Sequence, residues 1–195
     1  MHYLDLRSLL LVSFLLPFLS GCGLLVAGGM AAGVGTGVAM SLDRRTSGMF
    51  VEDESIEFRS NWRINERFSS DVHVNVTSFN RNVLLTGEAP SETIREEIGD
   101  LVSSVENVRD VTNEITVGTP SSFTSRGNDT LITSLVKGRF MDSGRFQANH
   151  VKVVTEDSIV YLLGLVKQEE AENAVDLAKR ADGVKKVVRV FEYME

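Results

Sequence analysis

Two stretches of this 195-residue chain repeat one pattern of residues, and this repeat limits the possible fold more than any other feature. At an offset of 77, the stretch 74–76 aligns with 151–153 and the stretch 83–87 with 160–164, both of the latter ending in glycine. Other aligned pairs, at offsets of 77 or 76, are Glu92 with Glu169, Val108 with Val184, Val111 with Val187, Ile56 with Ile132 and Ile64 with Phe140. The chain therefore contains two copies of one module, at 53–118 and 128–195, joined by a turn-rich linker at 119–127.

The same order of elements is predicted in each copy, α-β-β-α-β. Hydrophobic periodicity indicates opening helices at 53–68 and 129–141, the second capped by Asn128 or Asp129. Two short strands follow, the second at 83–87 or 159–164, then a second helix and a closing strand at 111–117 or 187–193. Gly87-Glu88 and Gly164-Leu165 are interpreted as turns at strand ends. The predicted fold class is α+β, with two helices covering a three-stranded mixed sheet in each copy.

The first 21 residues are predicted to be a signal peptide. The apolar run 9–16 is too short to span a bilayer as a helix, which takes about 20 apolar residues. The sequence Leu19-Ser20-Gly21-Cys22 follows, and it resembles the lipobox of bacterial lipoproteins. This resemblance implies cleavage before Cys22 and three acyl chains on that residue. Because Gly23 stands where an Asp would favour inner-membrane retention, it also implies a periplasm-facing outer-membrane location. An ordinary secretory signal with an incidental cysteine is the alternative.

Residues 22–52 are predicted to be the acylated N-terminus and a tether. Six of the eighteen residues at 23–40 are glycine, and the stretch carries no charge. It is interpreted as a flexible linker, although small residues at such spacing also pack helices together in membranes.

Both copies have a hydrophobic motif that ends in glycine, Leu84-Leu85-Thr86-Gly87 and Tyr161-Leu162-Leu163-Gly164, and the second copy has the closing motif Gly183-Val184-Lys185-Lys186-Val187. In these motifs the two modules resemble BON domains, small modules of bacterial envelope and osmotic-stress proteins. The first copy departs from the closing motif, since Asn107 replaces the glycine. The resemblance implies a non-enzymatic protein that maintains envelope integrity. It also implies that the second domain binds anionic phospholipid and directs the protein to division sites.

No pattern of catalytic, metal-binding or cofactor-binding residues is found. The histidines are His2, His73 and His150, and Cys22 is the only cysteine, so neither type forms a cluster with metal-ligand spacing. A small-molecule substrate, a cofactor and a metal site are therefore not expected. The net charge of −7 argues against nucleic acid as a partner.

Charge differs between the modules, and this selects a candidate membrane surface. Residues 53–118 carry 13 acidic and 6 basic side chains, whereas 128–195 carry 11 and 10, so the second copy is repelled less by an anionic surface. Its opening helix has more apolar residues than one core stripe requires. The predicted phospholipid-binding residues are Leu131, Leu135, Lys137, Gly138, Arg139 and Met141.

Alternatives to this membrane surface remain open. Leu131 and Leu135 could instead pack against the first domain. The family resemblance implies a membrane-inserting tryptophan where this chain has Leu131, while Trp62 and Phe58 of the first module are predicted to lie in the core or in a domain contact. A second functional hypothesis is a protein-interaction adaptor, in which the acidic first module docks an envelope assembly factor or protease.

Overall fold

The computed structural model of the protein describes residues 43–68 and 72–194. The predicted signal peptide at 1–21, Cys22 and most of the tether lie outside the described residues. Among the helices within those two ranges, none has the length and apolar content that crossing a bilayer requires.

The first module comprises two helices and four strands. They are α1 (Ser47–Phe68), β1 (His73–Phe79), β2 (Asn82–Ala89), α2 (Glu92–Ser103), β3 (Asp110–Asn113) and β4 (Thr116–Val117). Strand β1 pairs with β2 antiparallel, and β3 and β4 both pair with β2 in parallel. The closing strand predicted at 111–117 is interrupted, because the Ile115 amide donates to Asn113 Oδ1 and the Ile115 side chain enters the core.

The second module has the same order without the interruption. Its elements are α3 (Phe123–Ser143), a short 3-10 helix (Ala148–His150), β5 (Val151–Glu156), β6 (Ile159–Val166), α4 (Gln168–Lys179) and β7 (Lys186–Tyr193). Strand β5 pairs with β6 antiparallel, and β6 pairs with β7 in parallel. The predicted α+β class, with helices on mixed sheets, is confirmed.

Both opening helices begin six residues before the predicted start, so parts of the predicted tether and linker are helical. Ser122 is the N-cap of α3, and its hydroxyl accepts from the Ser125 amide. The prediction that Asn128 or Asp129 caps this helix was wrong. Asp129 is buried within α3, where its carboxylate accepts the amides of Asp157 and Ser158.

The amides that Asp129 accepts belong to the β5–β6 hairpin turn, in which Asp157 and Ser158 both have positive φ. Two residues with positive φ are typical of type I′ hairpins. Asp53 of α1 binds the β1–β2 turn in the same way, accepting the amides of Asn80 and Arg81.

Each sheet is covered on both faces, because alternate residues of a strand point to opposite sides. In β2, Val83, Leu85 and Ala89 pack with the helices of the first module, whereas Leu84 faces the other way. In β6, Leu162 faces helices and Tyr161 faces the first module. One apolar cluster, formed by Phe79, Leu84, Tyr161 and Leu163, joins the two sheets. The layers therefore run helices, sheet, sheet, helices.

Gly87 and Gly164 lie inside β2 and β6, so the prediction that they form turns at strand ends was wrong. They allow the neighbouring strand to approach: a Cβ on Gly87 would lie 2.0 Å from the His73 carbonyl oxygen, and one on Gly164 would lie 2.4 Å from that of His150. Only glycine fits so close to a backbone carbonyl.

Candidate functional site

Helix α3 presents apolar side chains on two faces. Ile132, Val136 and Phe140 are buried in the core of the second module. Leu131 and Leu135 are 65% and 47% exposed, and Met141 is also exposed. The helix therefore exposes apolar side chains in addition to the stripe that its fold requires.

The predicted residues of this surface are brought together only in part. Leu131, Leu135 and Gly138 follow at i, i+4 and i+7, so they share one face of α3. Arg139 lies one turn after Leu135 on one flank. Lys137 lies on the opposite flank and lines a cavity beside the first module. The surface is an apolar strip between two cations. Apart from its chain neighbours and the adjacent backbone of α3, no atom of the described residues lies within 4 Å of where a Gly138 Cβ would be.

The alternative in which Leu131 and Leu135 pack against the first domain does not fit their exposure. Contact between the domains runs through the sheets instead. Lys152 of β5 donates to Glu57 of α1 at 2.9 Å and to the Ser78 carbonyl. A further contact between the domains is made by Glu192 of β7, which accepts from Arg109 and from Asn80. The hydrogen bond from Arg109 lowers the pKa of Glu192, although partial burial opposes this shift.

Residues 43–45 form a second link between the domains that sequence reasoning missed. Arg44 donates to both carboxylate oxygens of Glu170 in α4, at 2.6 and 2.8 Å, and to the Leu165 carbonyl. Burial of Glu170 opposes ionisation, but hydrogen bonds from Arg44, the Lys167 amide and His150, with the charge of Arg44, together outweigh it and lower the pKa of Glu170 to about 2. The sequence showed only a run of charged residues after the glycine-rich stretch. It did not identify Glu170 as a partner, because Glu170 is remote in sequence.

Its neighbour Arg45 binds the first module. The Arg45 guanidinium donates to the buried carboxylate of Asp53 at 2.9 Å and lies 4.1 Å from the centre of the Phe79 ring. The two arginines therefore connect the segment before α1 to both domains.

Trp62 and Phe58 were wrongly predicted to lie in the core or in a domain contact. On the outer face of α1, they are 58% and 73% exposed. Helical periodicity indicates which residues share a face, but not which of two apolar faces is covered by the rest of the molecule. In α1 the covered face carries Ile56, Ser60 and Ile64.

Comparisons with known proteins agree with the fold. The BON domain family matches residues 53–119 and 128–195. The chain is 36% identical over 180 residues to the "Outer membrane lipoprotein DolP" of Haemophilus influenzae, covering 91% of each chain. It is 30% identical to the "21 kDa hemolysin" of Actinobacillus pleuropneumoniae, covering 79% of this chain and 80% of that one. It is 28% identical to the "Osmotically-inducible protein Y" of Escherichia coli strain K12, covering 72% of each chain.

The family matches and the structure agree on the extent of the repeated domain. Each of the two matched stretches contains most of the opening helix that covers the sheet, followed by a hairpin, a second helix and a closing strand. The similarity to an outer membrane lipoprotein along nearly the whole chain supports an association with the cell envelope. The chain belongs to the BON-domain family and carries two copies of the domain.

Proposed function

We propose that this protein is a non-enzymatic outer-membrane lipoprotein whose second BON domain binds anionic phospholipid. The observation that supports this best is that Leu131 and Leu135, which share one face of α3, remain exposed although the domain already has a complete core. Met141 is also exposed and lies one turn after Lys137, on the flank of that face. An apolar helix face beside basic residues is the usual form of an interfacial membrane contact.

The charge of the second domain fits such a contact. With nearly balanced charges, it meets less repulsion from anionic headgroups than the acidic first domain. Lys137 and Arg139 flank the strip and can meet phosphate groups. Asp142 lies one turn beyond Gly138 and ends the strip with a negative charge, which limits the contact to its first turns.

An acyl anchor on Cys22 would make even a weak contact effective. A tethered domain stays close to the bilayer, so its second contact forms at high effective concentration. The anchor would then determine to which membrane the protein is attached. The strip on α3 would favour regions of that membrane that are rich in anionic phospholipid, such as division sites.

Co-sedimentation with vesicles tests the lipid contact. A soluble form comprising residues 42–195 retains the contacts described above and is expected to sediment with vesicles containing phosphatidylglycerol or cardiolipin, but not with phosphatidylcholine vesicles. Leu131→Glu with Leu135→Glu should reduce binding at least ~10-fold, because two charges would have to enter the interface.

A matched control comes from the first domain. Phe58→Glu with Trp62→Glu adds the same charge on a somewhat more exposed pair of apolar residues, which are also one helical turn apart. This control should bind vesicles as the parent does. The proposed surface is wrong if the Leu131 and Leu135 variant binds like the parent, or if the control loses as much binding.

A second candidate function is a protein-interaction adaptor, and the exposed Phe58 and Trp62 favour it. Tryptophan is enriched among residues that dominate binding energy at protein interfaces. In this case, loss of the protein should weaken the envelope. Crosslinking of the protein in cells should then recover one envelope assembly factor or protease bound to it. The Phe58→Glu, Trp62→Glu variant should lose that partner while its vesicle binding stays unchanged.

A further inference from the structure

Three side chains that can bind metal meet where the two domains join. His73 begins β1, Glu88 lies near the end of β2, and Glu156 ends β5 of the second domain. One ligand atom from each lies within 4.8 Å of the other two. His73 Nδ1 is 2.9 Å from Glu88 Oε2.

The carboxylates of Glu88 and Glu156 are buried, so their negative charges need a compensating positive charge. Glu88 and Glu156 are each only 8% exposed. In the described part of the chain, no lysine or arginine nitrogen comes within 4.0 Å of either carboxylate, and His73 is the only basic group that does. Burial raises the pKa of Glu156, and the nearby charge of Glu88 raises it further, against the hydrogen bond from Asn75. Buried carboxylates are generally paired with cations or coordinate metals.

The fold itself does not require this group. At the offset of 77, Glu88 corresponds to Leu165 and Glu156 to Phe79, and both of these apolar residues belong to the cluster between the sheets. His150 corresponds to His73, but its neighbour Glu170 is already held by Arg44. The positions of Glu88 and Glu156 are therefore occupied by apolar residues in the other repeat, so metal-binding atoms at these positions are not a requirement of the fold.

We propose that His73, Glu88 and Glu156 bind one divalent transition-metal ion across the two BON domains, with the preference of Zn²⁺. One imidazole nitrogen and two carboxylate oxygens are ligands that Zn²⁺ accepts, and the imidazole disfavours Mg²⁺ and Ca²⁺, which prefer oxygen ligands only.

Surrounding residues complete such a site. Asn75 Nδ2 donates to Glu156 Oε2 at 2.8 Å, and Thr86 Oγ1 donates to the same oxygen at 3.3 Å, so the carboxylate is oriented from outside. A cavity of about 560 Å³ is lined by His73, Asn75 and Glu156. It provides an entry path and room for a water molecule as the fourth ligand.

Titration with Zn²⁺ alone tests the proposal. The full chain, purified in a non-ionic detergent and stripped of metal with a chelator, should take up one Zn²⁺ per molecule at micromolar concentration in calorimetry. His73→Gln and, separately, Glu88→Gln should weaken binding roughly 100-fold, since each removes one ligand. Zn²⁺ should raise the thermal unfolding midpoint of the parent but not of these variants.

His150→Gln is the matched control, because it removes the equivalent histidine of the other domain. It should bind Zn²⁺ as the parent does, and unfolding midpoints without metal will show that all variants are folded. The proposal is overturned if the parent binds no Zn²⁺ below about 10 µM, if folded His73→Gln binds like the parent, or if millimolar Mg²⁺ displaces the Zn²⁺.

Discussion

At the scale of single residues, two pairs of equivalent positions have the same structural role in the two repeats. Gly87 and Gly164 both let a neighbouring strand's carbonyl approach. Asn107 and Gly183 both adopt positive φ, at 68° and 86°, so the departure from the closing motif in the first domain preserves the turn. Asparagine is one of the few residues other than glycine that tolerate this conformation.

Alanine at Gly164 is expected to lower the free energy of unfolding by about 2–3 kcal/mol, because its Cβ would overlap the His150 carbonyl. Urea denaturation measures this change. Gly138→Ala is the control: it lies in a helix with open space around it, so alanine should raise stability by about 0.5–1 kcal/mol. Equal effects of the two substitutions would contradict the steric argument.

At the scale of elements, each opening helix is attached to the hairpin that follows it by a buried aspartate. Asp53 also accepts from Ser78 Oγ at 2.7 Å and from Arg45, whereas within the described residues Asp129 accepts only from the two turn amides. These bonds satisfy backbone donors that a type I′ turn leaves without a strand partner.

Asp129→Asn is expected to lower the free energy of unfolding by about 1–3 kcal/mol, because an amide offers one acceptor oxygen to two donors. Asp53→Asn should cost more, since it also leaves Arg45 without its buried charge partner. Asp142→Asn, an exposed change on the same helix as Asp129, should have little effect in the same denaturation experiment. If Asp142→Asn lowered the free energy of unfolding as much as Asp129→Asn does, the proposed role of Asp129 would be wrong.

At the scale of the whole molecule, the domains are held by the cluster between their sheets and by polar contacts around it. Burial, together with Glu114, raises the pKa of Tyr161 within this interface. The segment before α1 adds a connection through Arg44 and Glu170, which joins the point where the tether ends to the second domain.

Arg44→Ala is expected to lower the free energy of unfolding at pH 7 by about 1–2 kcal/mol. The pKa of Glu170 is about 2 in the folded protein, below its ordinary value of 4.5. The contribution of the ionised carboxylate is therefore complete above pH 4.5 and is lost as pH falls toward 2. The difference in unfolding free energy between parent and variant should be largest at pH 7 and shrink as pH falls toward 2, where only the hydrogen bond to the Leu165 carbonyl remains to be lost. A constant difference across this range would show that Glu170 does not mediate the effect.

The sequence alone determined the repeat, the α-β-β-α-β order and the mixed sheets. These follow from local regularities: alternation of apolar residues in strands and helical spacing of apolar residues in helices. It also separated the core stripe of α3 from the additional residues Leu131 and Leu135, because the first copy supplied an independent set of core positions.

Only the tertiary structure decided what each second face contacts. Leu84 of the first sheet and Tyr161 of the second pack together between the two sheets. Trp62 and Phe58 remain exposed, although they are also large hydrophobic residues. Burial depends on which surfaces meet across the two domains, and periodicity along one element carries no information about that. The same reason applies to Arg44 with Glu170 and to Glu88 with Glu156: their partners are remote in sequence and become neighbours only when the two sheets pack together.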